Sequence, residues 1–582
     1  MTFKLFNSST LQPFNATSVI LFLRNKMTLV VAVILGLLTL VRLLFAAHGH
    51  FSEAESYLLL CSHHLDWGFV EGPAGIPVLM RLCGLLGNTP FAMRWLSPML
   101  LLGSSWILWR WVSDLCNRRV AFWAVMTFNL LPLANAAAVV MEGTMFVTLC
   151  WLAALWTGWR LIVSKTQKNK ISSWIIFGVI LAIGTQVSYQ IGCLLPLVAL
   201  ASLHFFHNEI SDEQEEDVVS SGWKKFLGVL AAILLLAASW LPIVWWNQQH
   251  DWLQFQNMTW DSFWMWPPWG DDYFQHLPVI WSLLVLVPLV VVGVCCFSGI
   301  WNVENSFFLM VAIPFFFAFN ELGHGKAPFA LLLVLTALFL PIALEVLMKT
   351  KKRAIVALLL LFALGCSSLL LLVGTIFSST IQESSWNFPS ATGVIGTEAI
   401  ADQLMKLRTT YADTSVAPLP GVDGKDKQLD AGGQSLPEKP ESVVNRNVFR
   451  KIPFLIAETP GLAAILGAAM PINYPERPGA PSVFIPESPA FDTQFQLWPH
   501  YADATTENTT PDPLYTEEKA VSPFLGRDAF YITTEKLEEI PQTITGAFAA
   551  VIPLSVTFTL TNNGRPEQLN LYLCQNYQML SL

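Results

Sequence analysis

Glu53, Glu55, His63, His64, Asp66 and Glu71 crowd one stretch, Ser52–Gly75, of a chain in which only 13% of residues are charged. Carboxylates and imidazoles exchange protons near neutral pH, so this stretch is the first candidate for general acid–base chemistry. It follows directly on the first apolar run. Ionisable groups beside a membrane are costly unless solvated or paired, and several together suggest a site rather than a connector. From residue types alone, a solvated loop without function explains it equally well. Other chemistries lack their signatures. The nine cysteines include no CxxC and no Cys–His zinc spacing. Neither GxGxxG nor GxxxxGKS/T occurs, so no nucleotide fingerprint is present. Cys61 and Cys83 are the cysteines that could pair across the stretch, and Cys574 stands alone in its segment.

The elements that must position these residues are mostly membrane helices. Of the 582 residues, 53% are hydrophobic, which places the chain among polytopic membrane proteins. The apolar material fills residues 27–377. Spans are read at 27–46, 91–113, 120–138, 143–164, 172–187, 190–207, 226–246, 277–299, 306–321, 327–348 and 354–377, about eleven helices by length. Met27 onward reads as a retained anchor behind a leader, 1–26. Arg118-Arg119, Lys165/Lys168/Lys170, Lys224-Lys225 and Lys349/Lys351/Lys352/Arg353 fall in alternate loops, so that face is expected to be cytoplasmic. The opposite, external face then carries the acidic stretch, a Trp-rich loop at 245–276, His324-Gly325-Lys326 and the C-terminal segment 378–582. An interfacial belt is the plain explanation of the tryptophans, and a platform for a lipid-linked sugar is the functional one.

Segment 378–582 is globular in composition, and its acids outnumber its bases, which argues against nucleic-acid binding. A helix is expected over Gly396–Thr410, a long loop over 412–442, and buried strands at Phe454–Ala457, Ser482–Ile485 and Ala529–Ile532, with a helix from Gly461 to Met470 between the first two. Val556–Leu560 and Asn570–Leu573 alternate in polarity and read as an antiparallel pair around Asn563-Gly564. Together these predict a small α/β domain.

Four motifs carry a resemblance. His64-Leu-Asp-Trp-Gly-Phe-Val-Glu-Gly-Pro, followed by Leu79-Met-Arg-Leu, resembles the first external loop of the bacterial family 39 glycosyltransferases. This group includes protein O-mannosyltransferases and lipid A aminoarabinose transferases. Leu241-Pro-Ile-Val-Trp-Trp-Asn-Gln-Gln-His-Asp-Trp-Leu-Gln-Phe is similar to the family's P-x-x-x-W-N-x-Q-H-x-W-x-S-F and is the most specific stretch. Gly325-Lys326 resembles its G-K loop. Thr493-Gln-Phe-Gln-Leu-Trp-Pro resembles S-Q-F-D-L-W-P, with Thr for the first Ser and Gln for the Asp.

The resemblance implies a polytopic α-helical membrane protein with a C-type glycosyltransferase fold and an extracytoplasmic α/β domain, multi-pass in the bacterial inner membrane. It implies transfer of a sugar from a polyprenyl-phosphate donor to a lipid, glycan or protein acceptor outside, in contact with membrane lipid and without nucleic acid. Glu55 or Glu53 would be the base and Glu142 its partner in orienting base or acceptor. Lys326 and Arg81 would hold the phosphate, with His64, Glu71, His324, Asn247 and His250 lining the substrate. No cofactor is implied; inverting displacement from a lipid monophosphate needs no metal in principle, although a divalent ion is left open.

Several positions depart from the family. Its D-E pair falls on Ala54-Glu55, its T-P-D on Met141-Glu142-Gly143, its T-K-Y-T on Val187-Ser-Tyr-Gln and its D-H-P-P on Glu71-Gly-Pro-Ala. An inactive relative, a flippase for lipid-linked sugar, or a scaffold are the alternatives. A transporter is expected to place ionisable residues at mid-membrane in broken helices, whereas this chain's acids lie at helix ends.

Overall fold

The computed structural model describes residues 26–48, 50–87, 89–115, 118–163, 171–196, 198–199, 215–256, 394–414, 452–470, 478–488, 491–503, 505–511, 518–562 and 565–578. The four spans expected between 277 and 377, most of the Trp-rich loop, the 412–442 loop beyond Thr414, and Lys326 and His324 lie outside them. The chain divides into two compact units. One comprises Met1–His50 with Cys61–Gly393, the other Phe51–Leu60 with Val394–Leu582. The sequence placed Phe51–Leu60 inside the 27–377 segment; here these ten residues group with the C-terminal segment.

The first unit is helical. Its elements are α1 (Lys26–His48), α2 (Glu53–His63, shared along the chain with the second unit), the strand pair β1 (Gly68–Phe69) and β2 (Gly72–Pro73), α3 (Gly75–Gly84), α4 (Pro90–Arg94), α5 (Leu96–Leu115), α6 (Arg118–Leu130), α7 (Pro132–Val139), α8 (Thr144–Val163), α9 (Ile171–Thr185), a 3₁₀ turn at Tyr189–Cys193, α10 (Glu215–Gln249) and α11 (Leu253–Gln256). Among the described residues, Thr28–Ala47 and Phe226–Gln249 are long and apolar enough to cross a membrane. Trp111, Phe128, Trp151, Trp174 and Phe177 form the centre of the core.

Three expectations change. The acidic stretch begins as a helix rather than a loop. Ser52 starts α2 with a capping box, its Oγ accepting from Glu55 N–H (3.2 Å) while Glu55 Oε2 accepts from Ser52 N–H (3.1 Å). Glu53 and Glu55 in the first turn also match the helix dipole. The span expected at 120–138 is broken, because Leu131 is extended and Pro132 has no N–H to continue α6. The span expected at 190–207 opens with the 3₁₀ turn instead of an α-helix.

The break explains a buried cation. Arg42 lies within α1 and is 2% exposed. It donates from Nε to Asn135 Oδ1 (2.9 Å), from Nη1 to Asn129 Oδ1 (2.9 Å) and from Nη2 to Asn129 O (3.0 Å). A central cation costs about 2.5–3.5 kcal/mol on membrane-insertion scales. Three hydrogen bonds from a charged donor, at about 1.5–3 kcal/mol each, are enough to offset that. The C-terminal end of α6 adds a partial negative charge.

The second unit is an α/β domain with α12 (Thr397–Thr414), β3 (Phe454–Ala457), α13 (Pro460–Ala469), β4 (Thr505–Pro511), β5 (Glu518–Val521), β6 (Ala529–Thr533), α14 (Gln542–Thr545), β7 (Phe548–Asn562) and β8 (Arg565–Tyr577). The main sheet has the order β3-β6-β8-β7, with β3 parallel to β6 and the other pairs antiparallel. The β7–β8 pair turns where Asn563-Gly564 was expected to turn it, with Asn562 opposite Arg565. Ser482–Ile485, expected as a strand, contributes only a bridge between Phe484 and Ile456. Phe454, Phe484, Tyr501, Phe524, Phe548 and Tyr577 fill the core, each buried aromatic contributing about 1.5–3 kcal/mol.

Candidate active site

In the first unit the structure brings together the two motifs that carry the resemblance. β1 and β2 form a tight hairpin with Glu71, exposed, at its turn. The far end of α10 and the following α11 grip it. Trp246 Nε1 donates to Asp66 Oδ2 (2.8 Å), and Asp66 Oδ1 accepts from Trp67 N–H (2.7 Å). Gly68 lies flat against the Trp246 ring; a Cβ there would come within 3.0 Å of the indole, so only glycine permits this approach.

Gln254 closes the clamp. It is 3% exposed. Its Nε2 donates to Phe69 O and to Gly72 O (2.9 Å), so both sides of the hairpin turn are held by one amide. Its Oε1 accepts from Tyr189 O–H (2.8 Å) and Asn247 Nδ2 (2.6 Å). All four capacities of the amide are used. Asn247 is fully buried and also donates to Ile243 O (2.9 Å), which ties the clamp to α10.

His250 stacks on Trp246 with ring centroids 4.1 Å apart, and its Nδ1 lies 2.8 Å from Trp246 O. A carbonyl only accepts, so Nδ1 carries a proton in this hydrogen bond. Asp251 (φ 52°) and Trp252 (φ 61°) then turn the chain left-handed. Two consecutive non-glycine residues there store about 1–3 kcal/mol each, and Trp252 N–H to Asn247 O (2.8 Å) helps to hold them.

His63 and Arg81 form a second pair in this unit, with Arg81 Nη1 2.9 Å from His63 Nδ1. Guanidinium can only donate, so His63 accepts there and is neutral. Burial first, and the Arg81 charge second, hold the His63 imidazole below its ordinary range. Burial and then the neighbouring His63 do the same to His64. Glu142 is half-exposed in the turn between α7 and α8, where Ser97 Oγ donates to Val140 O (2.9 Å). Cys61 and Cys83 are buried and are not joined in a disulfide.

The start of α2 belongs to the second unit. Glu55 is fully buried in its capping box, whereas Glu53 is exposed. The Glu53 carboxylate lies against the first turn of α13: a Cβ on Gly461 would stand 2.9 Å from its Oε2. Burial, then the Glu53 and Glu458 carboxylates, push the Glu567 carboxyl up. Tyr57 O–H accepts from Gln494 N–H (3.0 Å), and its ring packs on Phe495 at 5.9 Å. The fourth motif therefore meets α2. Its departures keep a shared chemistry, because Gln496 Oε1 accepts from both Thr493 N–H (2.9 Å) and Thr493 Oγ (2.6 Å) to cap the 3₁₀ turn.

Glu71, Asn247 and His250 are thus brought to one clamp, His64 and Arg81 flank the α2 end, Glu142 lies on another turn of the first unit, and Glu53 and Glu55 fall in the second unit. Sequence reading missed Gln254, Tyr189 and Trp246 as working parts. Gln254 was visible as a departure, since it stands where the family pattern has Ser. Among the described residues no group of three or more His, Cys, Asp or Glu side chains could hold a metal ion.

A membrane helix end is thus clamped to an acidic hairpin through these motifs, and a family-model match points to the class of membrane glycosyltransferases. Residues 71–246 match the family model described as dolichyl-phosphate-mannose-protein mannosyltransferase. The matched segment starts at the hairpin's Glu71 and ends at Trp246. No curated protein sequence matches the chain. Among solved structures, ArnT from Cupriavidus metallidurans in the apo state aligns over 96% of this chain and 98% of its own, at 12% identity and a TM-score of 0.49. The same protein bound to undecaprenyl phosphate aligns over 93% and 97%, at 13% identity and 0.49. The archaeal oligosaccharyltransferase AglB from Archaeoglobus fulgidus, in complex with an inhibitory peptide and a dolichol-phosphate, aligns over 77% and 64%, at 11% identity and 0.43.

Proposed function

We propose that this protein, of C-type glycosyltransferase fold, moves a sugar from a polyprenyl-phosphate donor to an acceptor on the outer face of the bacterial inner membrane. The observation that carries this reading is the interlocking of the first-loop and helix-end motifs through Asp66–Trp246 and Gln254. Family recognition supports the reaction class. In the proposed reaction a carboxylate, Glu55 or Glu53, takes the proton of the acceptor hydroxyl. The acceptor oxygen then bonds to the sugar's anomeric carbon as the bond from that carbon to the donor phosphate breaks, and polyprenyl phosphate leaves. Arg81, together with Lys326 and His324, stabilises its negative charge. Glu142 orients the acceptor or the base, and His64, Glu71, Asn247 and His250 shape the surroundings. Inverting displacement from a lipid monophosphate needs no metal in principle, and transfer measured with and without chelator tests whether a divalent ion takes part.

Purified full-length protein is to be given radiolabelled polyprenyl-phosphate sugars beside Glu55→Gln, Glu53→Gln and Glu142→Gln. Loss of transfer in at least one variant supports the assignment, full transfer in all three removes it, and no transfer from any donor leaves a relative that binds without catalysis.

A further inference from the structure

Arg42 is used by nothing described so far, yet its three neutral acceptors lie on both sides of one helix break. Asn129 is in the last turn of α6 and Asn135 in the first turn of α7. The asparagines are tied to each other as well: Asn135 Nδ2 donates to Asn129 O (2.9 Å) and to Leu131 O (2.9 Å). Asn129 Nδ2 donates to Ser105 Oγ (2.9 Å) and Val125 O (2.9 Å), which anchors the network in α5 and α6. One turn further along α1, Phe45 packs on Val139 and Val140 at the other end of α7. α1 thus holds α7 at both ends, by a guanidinium at Asn135 and by a ring at Val139–Val140. Glu142 is two residues beyond the second hold. α7 has only eight residues, about two turns, so displacement at one end is carried to the other with little loss.

We infer that Arg42 is a positioning residue that sets the Glu142 turn through Asn135 and α7. This rests on the proposed role of Glu142 only where transfer is the readout. A planar fork suits the task, since Nε, Nη1 and Nη2 reach three acceptors at fixed angles, whereas a lysine ammonium is a single point.

The test uses the full chain carrying Glu142→Cys, with the rate of maleimide labelling at position 142 read by peptide mass spectrometry. Val78→Cys on α3 serves as the control. Arg42→Lys, Arg42→Met and Asn135→Ala are each expected to change labelling at 142 by about fivefold or more, with labelling at 78 unchanged. In the native Glu142 background the same substitutions are expected to lower kcat about tenfold with KM within about threefold. Arg42→Lys keeps the charge, so it remains informative if Arg42→Met does not fold. Unchanged labelling at 142 in folded Arg42→Lys and Asn135→Ala overturns the inference, as does an equal change at 78. Altered labelling with undiminished transfer upholds the positioning and removes Glu142 from the reaction.

Discussion

The hairpin Gly68–Pro73 is gripped mainly by neutral groups, an indole N–H, a glutamine amide and a phenol, with Asp66 accepting from the indole. The start of α2, a few residues earlier in the chain, is set among charges, with Glu53 beside the first turn of α13 and near Glu567, and Glu55 buried in a cap. Neutral hydrogen bonds define one geometry and respond little to salt or pH. At the helix start, burial, then the Glu53 and Glu458 carboxylates, push the Glu567 carboxyl up, so that region responds to charge. One stretch of chain therefore carries both a held hairpin and an acidic helix start, and the two fall in different compact units.

The sharpest way to break this contrast is Glu55→Gln. A glutamine oxygen still accepts from Ser52 N–H, so the capping box survives and the thermal midpoint is expected to stay within about 2 °C. Transfer is expected to fall by about 10²–10⁴ if Glu55 is the base. A rate within twofold of native would move that role to Glu53.

Gln254→Leu attacks the holding side. It leaves two hairpin carbonyls and the Tyr189 and Asn247 donors without their partner, a loss of about 2–4 kcal/mol in a denaturant or thermal measurement. Gln254→Ser, the family's residue, is expected to be nearly as damaging, since its hydroxyl is too short to reach both carbonyls. Full stability in both variants would show that Asp66–Trp246 suffices.

Gly461→Ala should separate stability from chemistry on the charged side. The new methyl meets only the end of an exposed, flexible Glu53, so stability is expected to change by less than about 1 kcal/mol. The Glu53 carboxylate must move, and a lowered transfer rate would show that its position matters.

The smallest effect is expected from pH. His63 is held below its ordinary value of 6.5, so the unfolded chain takes up the proton more readily than the folded one. Its contribution is present above that value and is lost as pH falls through the depressed one. The thermal midpoint is expected to drop between pH 7 and 5, and His63→Gln, which still accepts from Arg81 without titrating, should flatten part of that drop.

Much of this was legible locally. The strands at 454–457 and 529–532, the antiparallel β7–β8 pair and the helix Pro460–Ala469 follow from apolar runs and turn residues that neighbours in sequence determine. The Ser52–Glu55 capping box was equally local, four residues long, but was hidden by the density of charge around it. The clamp was half-legible: Asn247 and His250 stood out in a motif, whereas Gln254 bonds carbonyls about 180 residues away. Backbone carbonyls leave no mark in sequence.

The sequence by itself determined a membrane protein with a globular C-terminal segment and a resemblance to a family of transferases, because hydropathy and motif spacing are properties of composition and order. Only the tertiary structure decided that the acidic stretch starts as a helix grouped with the far end of the chain. It also decided that a mid-span arginine is satisfied by two asparagines flanking a proline break, and that one glutamine holds the hairpin. Each depends on which groups meet across long separations, and that is set by packing rather than by local preference.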